Sequence, residues 1–126
     1  MNLISREELK EKIDREDDFK LVMALDDWHY KNKHIPGSIS ASALLGQELW
    51  SNLKDAAKIA EAIRGIASKL NAEDDIVVYC SHITCVGSVY AYEALERAGF
   101  KNIRRYAGGI ADWEDAGYPL EGEAVA

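Results

Sequence analysis

Two cysteines, two prolines and a shortage of basic side chains (15 Lys and Arg against 22 Asp and Glu) mark this chain of 126 residues. Two cysteines are too few for a disulfide framework. A net charge of −7 counts against a nucleic-acid binder, whose footprint is a basic face. No apolar run approaches the roughly 20 residues that a membrane helix needs. The opening Met1-Asn2-Leu3-Ile4-Ser5-Arg6-Glu7-Glu8 lacks the apolar core of a signal peptide. These absences predict a cytoplasmic protein with neither membrane nor nucleic-acid partners. In that reducing compartment a cysteine pair is more often reactive or metal-binding than structural. There is no internal repeat and no low-complexity segment.

What is present is ordinary globular usage, 48% hydrophobic and 29% charged, which excludes disorder for the bulk of the chain. The length predicts one domain over residues 1–126, with a small acidic tail fraying from about residue 121. Ser5 and Glu8 have the spacing of a helix capping box, and Ile4 and Leu9 that of a hydrophobic staple. Residues 19–25 and 76–79 are short apolar runs that read as strands buried on both faces. Residues 103–106 predict another strand, and Ser38-Ile39-Ser40 a short one. Asp26 to Lys33 reads as a polar connection ending in the turn Ile35-Pro36-Gly37.

Ile59, Ile63, Ile66 and Leu70 form one stripe of a helix over residues 52–70. A second helix over residues 86–98 would turn Val86, Val89, Tyr90, Ala94 and Leu95 inward and stop at Gly99. A last helix opens at Gly108-Gly109, carries Ile110 and Trp113, and closes at Gly117. Helices alternating with short apolar strands predict an α/β domain with a mostly parallel sheet.

The two cysteines fall in one loop. Cys80 follows the strongest strand signal, and Cys85 lies where the next helix begins. In open α/β sheets, ligands bind beyond the carboxyl ends of strands. Loop amides and a helix N-terminus favour negative charge there, so a thiolate at Cys80 is the reactive reading. The competing reading is a small buried hydrophobe at a strand end.

Three stretches in register carry a family resemblance. They are His34-Ile35-Pro36-Gly37-Ser38-Ile39 with Tyr30 ahead of it, and Ile76-Val77-Val78-Tyr79-Cys80. The third is Ala98-Gly99-Phe100-Lys101-Asn102-Ile103, continued by Gly108-Gly109-Ile110-Ala111-Asp112-Trp113 and Ala116-Gly117-Tyr118-Pro119. The chain resembles the single-domain rhodanese-like sulfurtransferases, in the variant with a second cysteine in the active-site loop.

The resemblance implies a three-layer α/β domain: a mostly parallel sheet of about five strands, flanked by helices. It implies that Cys80 takes sulfane sulfur as a persulfide from a small-molecule or protein-bound donor and passes it to a thiol or other nucleophile. Ser81, His82, Ile83, Thr84 and Cys85 would then form the substrate-binding loop. Neither a metal nor an organic cofactor is implied.

The departures from the family pattern shape the expected substrate. Ile83 stands where glycine is frequent and Cys85 where arginine is frequent; Met23-Ala24-Leu25 replaces an Asp-Val-Arg. A loop without lysine or arginine receives the thiosulfate dianion poorly, so polysulfide or a persulfide is the favoured donor. The missing loop arginine also counts against the phosphatases that share this fold. Cys85 has three readings: a cysteine that resolves Cys80, inert packing at the helix start, or a metal ligand with Cys80 and His82. His82 could assist the donor or face solvent, and Thr84 could donate to the persulfide or cap the helix. Trp28 and Tyr30 are candidates for the pocket mouth, and Trp113 for the core. Arg104 and Arg105 read as a surface pair, one of which reaches the site only if the strand end faces it. A low-turnover interaction or sensor module and a Cys80/Cys85 dithiol redox protein are the alternatives to sulfur transfer.

Overall fold

The apolar runs become strands, and their alternating side chains sort the core into two clusters. The computed structural model describes residues 1–25, 27–40, 68–85 and 87–125. Strands β1 (Lys20–Met23), β2 (Ile39–Ser40), β3 (Asp75–Tyr79) and β4 (Asn102–Tyr106) form a parallel sheet in the order β2-β1-β3-β4. Val22, Ile76, Val78 and Ile103 face one side; Leu21, Met23, Val77, Tyr79 and Tyr106 face the other. Burial on both faces explains why β1 and β3 read as unbroken apolar runs.

About five strands were expected, and the described residues form four. An additional chain segment adds itself beyond β4. Leu3 bridges Arg105 in parallel, with Ile4 N donating to Arg105 O (3.1 Å) and Arg105 N to Asn2 O (2.8 Å).

Helix α1 (Arg6–Asp14) starts as its sequence dictates. Glu8 N donates to Ser5 Oγ at 3.1 Å, and Ile4 and Leu9 are buried in the same cluster. Full burial of a leucine such as Leu9 contributes about 1.5–3 kcal/mol. Helix α4 (Gly109–Asp115) lies on the same face and inserts Trp113, whose Nε1 donates to Pro119 O at 2.9 Å. Helix α3 (Gly87–Arg97) covers the opposite face, giving three layers. Its stop is the expected one: Gly99 has φ +98°, and Phe100 N donates to Leu95 O at 3.1 Å.

Three expectations change, and one lies beyond the described residues. Helix α3 buries Ser88, Ala91, Tyr92, Ala94 and Leu95, whereas Val89 and Tyr90 are only half-buried. Ala94 and Leu95 thus face inward as expected and Val86 lies outside the described residues, but the first turns bury other positions than expected and place a serine under the loop. The polar connection contains a short helix, α2 (Asp27–Asn32). The helix expected over residues 52–70 lies outside the described residues except for its end, where Ser68 and Lys69 form a turn.

The third change is the tail, which is hydrogen-bonded where fraying was expected. His34 N donates to Glu121 O (2.8 Å) and Glu121 N to His34 O (2.9 Å). Glu123 N and Ala124 N donate to the carbonyls of Lys31 and Asn32. Composition signals fraying, but these bonds use backbone groups only. Among the described residues no helix is long and apolar enough to cross a membrane.

Candidate functional site

The site begins where β3 ends. Cys80 follows Tyr79, and the backbone of the turn is tied across to α4: Ile110 N donates to Cys80 O (3.0 Å) and Ala111 N to Ser81 O (2.8 Å). Gly109 makes this approach possible. It has φ +65°, and any Cβ there would collide with the Cys80 carbonyl oxygen.

The structure brings the predicted loop together around the two sulfurs, with unequal exposure. Cys80 is 1% exposed. Its Sγ lies 3.3 Å from Ser88 Oγ and 3.5 Å from Cys85 O. Ser81 and Cys85 are half-buried; His82 and Thr84 are exposed, and Ile83 stands out at 72%. Cys85 N closes the loop by donating to His82 O at 3.0 Å. Thr84 Oγ1 and His82 Nδ1 pair at 2.8 Å, so neither side chain is aimed at Cys80 by that contact.

Electrostatics divide the two thiols. Cys85 is held well below the usual thiol range by the hydrogen bond from Cys80 and then by the amides of Ser81 and Gly87. Cys80 is pushed up, chiefly by its bond to Cys85 and then by burial, against the opposing pull of Ser88. The amides were expected to make Cys80 the thiolate. The shifts run the other way, Cys85 down and Cys80 up, and Cys85 is the better solvated of the two.

Beside the loop opens a cleft of about 390 Å³. Leu25, Ile110 and Ala111 give it an apolar wall, and Ser81 and His82 bring the loop to its edge. Neither Trp28 nor Tyr30 lines it: Trp28 is 67% exposed, and Tyr30 stacks on His34 at 4.0 Å between ring centres. Lys33 does line it, already paired with Glu114 at 2.8 Å. Among the described residues no three His, Cys, Asp or Glu side chains converge as a metal site.

One functional candidate, Ser88, was missed, and one, Arg105, was left conditional on the direction of its strand. Ser88 was hidden by the misplaced first turns of α3. Arg105 reaches the site from the neighbouring strand, its Nε donating to Ser88 Oγ at 2.8 Å and its Nη2 to Cys85 O at 3.4 Å. The signal was the alternation of β4. Ile103 faces α3, so Arg105, two residues on, faces it too.

A family model described as a rhodanese-like domain matches residues 5–116. Among solved structures, a Bacillus halodurans protein superposes with TM-score 0.77 at 22% identity, over 98% of this chain and 78% of that one. A crystal structure of an Anabaena protein gives TM-score 0.74 at 24% identity, covering 97% and 94%. The human single-domain sulfurtransferase gives TM-score 0.64 at 19% identity, covering 91% and 96%. No curated protein matches the chain.

Proposed function

The chain belongs to the rhodanese-like domain family, and we propose that it is a sulfurtransferase working through a persulfide on Cys80. One observation carries the reading. Cys80 follows a central parallel strand beneath a loop, with its sulfur 3.3 Å from the Ser88 hydroxyl and 3.5 Å from the carbonyl of Cys85, the second cysteine of that loop.

The Cys80 sulfur attacks the outer sulfur of a donor R–S–S⁻ or R–S–SH, and its proton goes to the departing sulfur. The donor S–S bond breaks, R–SH leaves, and Cys80 carries the sulfane sulfur. An acceptor thiolate then attacks that outer sulfur, and Cys80 departs as a thiolate that recovers its proton. Both displacements are thiol chemistry and need neither metal nor organic cofactor. Cys80 is 1% exposed, so a donor reaches it only when the loop residues over it move. The apolar cleft wall and the neutralised Lys33 favour polysulfide or a persulfide over thiosulfate. Thiol acceptors of this kind are abundant in a reducing cytoplasm.

Mass spectrometry of the full chain after mixing with polysulfide, and separately with thiosulfate, tests the reading. Cys80 is expected to gain one sulfur atom, more readily from polysulfide. Failure to gain sulfur from any donor overturns it.

The second cysteine of the loop, whose carbonyl lies 3.5 Å from Cys80 Sγ, supports a second reading. Attack of Cys85 on the inner sulfur of the Cys80 persulfide would expel hydrosulfide and leave a Cys80–Cys85 disulfide, which an external dithiol must reduce. Accumulation of that disulfide during turnover would mark a dithiol redox protein.

A further inference from the structure

Ser88 is fully buried, and its hydroxyl stands between two groups of opposite character. Arg105 Nε lies on one side at 2.8 Å and Cys80 Sγ on the other at 3.3 Å. A guanidinium has only donors, so it occupies a lone pair of the serine oxygen and leaves the hydroxyl proton to be given elsewhere. The sulfur of Cys80 lies within its reach, and an anionic sulfur there would accept it.

Arg105 also donates to Cys85 O, the carbonyl that lies 3.5 Å from the same sulfur. A bare carbonyl oxygen facing Sγ would repel a thiolate or persulfide anion; the guanidinium offsets that repulsion. Among the described residues no carboxylate pairs with Arg105, so its charge is not spent on a neighbour. Its backbone is clamped on the side away from β3 by Asn2 and Ile4. Adjacent Arg104 points the other way, toward Glu8 and Asp75.

We propose that Arg105 is the positioning residue of this site, fixing the Ser88 hydroxyl proton toward Cys80 and neutralising the Cys85 carbonyl. It supplies from behind the cysteine the cation that the loop lacks. The inference rests on Cys80 being the sulfur carrier.

The test isolates Cys80 in the full chain carrying Cys85→Ser, which keeps the carbonyl that Arg105 binds. The pH dependence of Cys80 alkylation by iodoacetamide is followed in that background and after adding Arg105→Met, Arg105→Lys or Ser88→Ala. Removing the nearby cation and the bond that orients the Ser88 hydroxyl raises the pKa of a thiolate, so Arg105→Met is expected to move the profile upward by about one pH unit. Ser88→Ala should move it in the same direction. Adding Arg105→Met to Ser88→Ala should shift it less than the sum, because the arginine acts largely through the serine. Arg105→Lys should restore part of the shift.

Profiles that coincide in all variants overturn the proposal, as does full additivity with no rescue by lysine. If Arg105→Met does not fold, the Lys and Ser88→Ala variants still decide it. A shifted profile in a protein whose Cys80 never accepts sulfur would refute the sulfurtransferase reading and leave the positioning role standing.

Discussion

Gly109 sits against the carbonyl of Cys80, close enough that no side chain fits between them. Its left-handed backbone, φ +65°, lets the first amides of α4 reach Cys80 O and Ser81 O. The base of the cysteine loop is thereby fixed by a glycine 29 positions away in sequence.

Gly109→Ala is expected to cost stability and activity together. The new methyl must displace the Cys80 peptide, and the backbone conformation is strained for any L side chain, at about 1–3 kcal/mol. Thermal unfolding should show a lowered Tm, and sulfur loading of Cys80 should slow. Unchanged loading in a destabilised protein would mean that the loop base does not set the chemistry.

The thiol pair gives a pH prediction with a definite sign. The Cys85 pKa is lowered, so its thiolate is present at neutral pH and is lost only as pH falls through the lowered value. Cys80 is raised and stays a thiol. Limiting iodoacetamide near pH 6 should therefore modify Cys85 ahead of Cys80, as read by peptide mass spectrometry. Cys80→Ser weakens the main contributor to the Cys85 shift and should move Cys85 reactivity to higher pH.

Tyr79 gives a stability prediction that leaves the cysteines alone. Its buried hydroxyl donates to Ser38 Oγ at 2.9 Å and accepts from Ile35 N at 3.0 Å. Tyr79→Phe orphans a buried amide, a loss of about 1–3 kcal/mol. Chemical denaturation should report that loss, with the pH profile of Cys85 alkylation unmoved.

The same contacts show how far the sequence could be read. Strands β1 and β3 were legible because burial on both faces demands apolar runs such as Leu21-Val22-Met23. Cys80 was legible because it follows the strongest of them. Helix α2 was not, since its six residues carry no apolar stripe and it exposes Trp28. The strap 121–124 was invisible because the hydrogen bonds that hold it to His34, Lys31 and Asn32 are backbone ones, which leave no mark on side-chain choice; the Glu121 carboxylate adds only a 3.4 Å contact to the His34 ring. Arg105 was legible only as a condition: which of the two adjacent arginines reaches the site depends on the phase of β4, and Ile103 on the α3 side sets it.

Lys33 and Glu114 make the last prediction. Lys33 lines the cleft beside Ser81 and His82, but Glu114 holds its ammonium at 2.8 Å and cancels its charge there. A neutral pair on an apolar wall suits a polysulfide or an organic persulfide better than a dianion that needs pairing. Glu114→Gln releases the cation. The Lys33 side chain is 38% exposed, so solvent screens it and the gain is modest. An exposed ion pair of ~0.5–1 kcal/mol corresponds to about two- to fivefold in kcat/KM for thiosulfate. The value for polysulfide should change less, so the donor ratio moves toward thiosulfate. Equal effects on both donors would show that the carboxylate acts on the loop itself and not through the charge of Lys33.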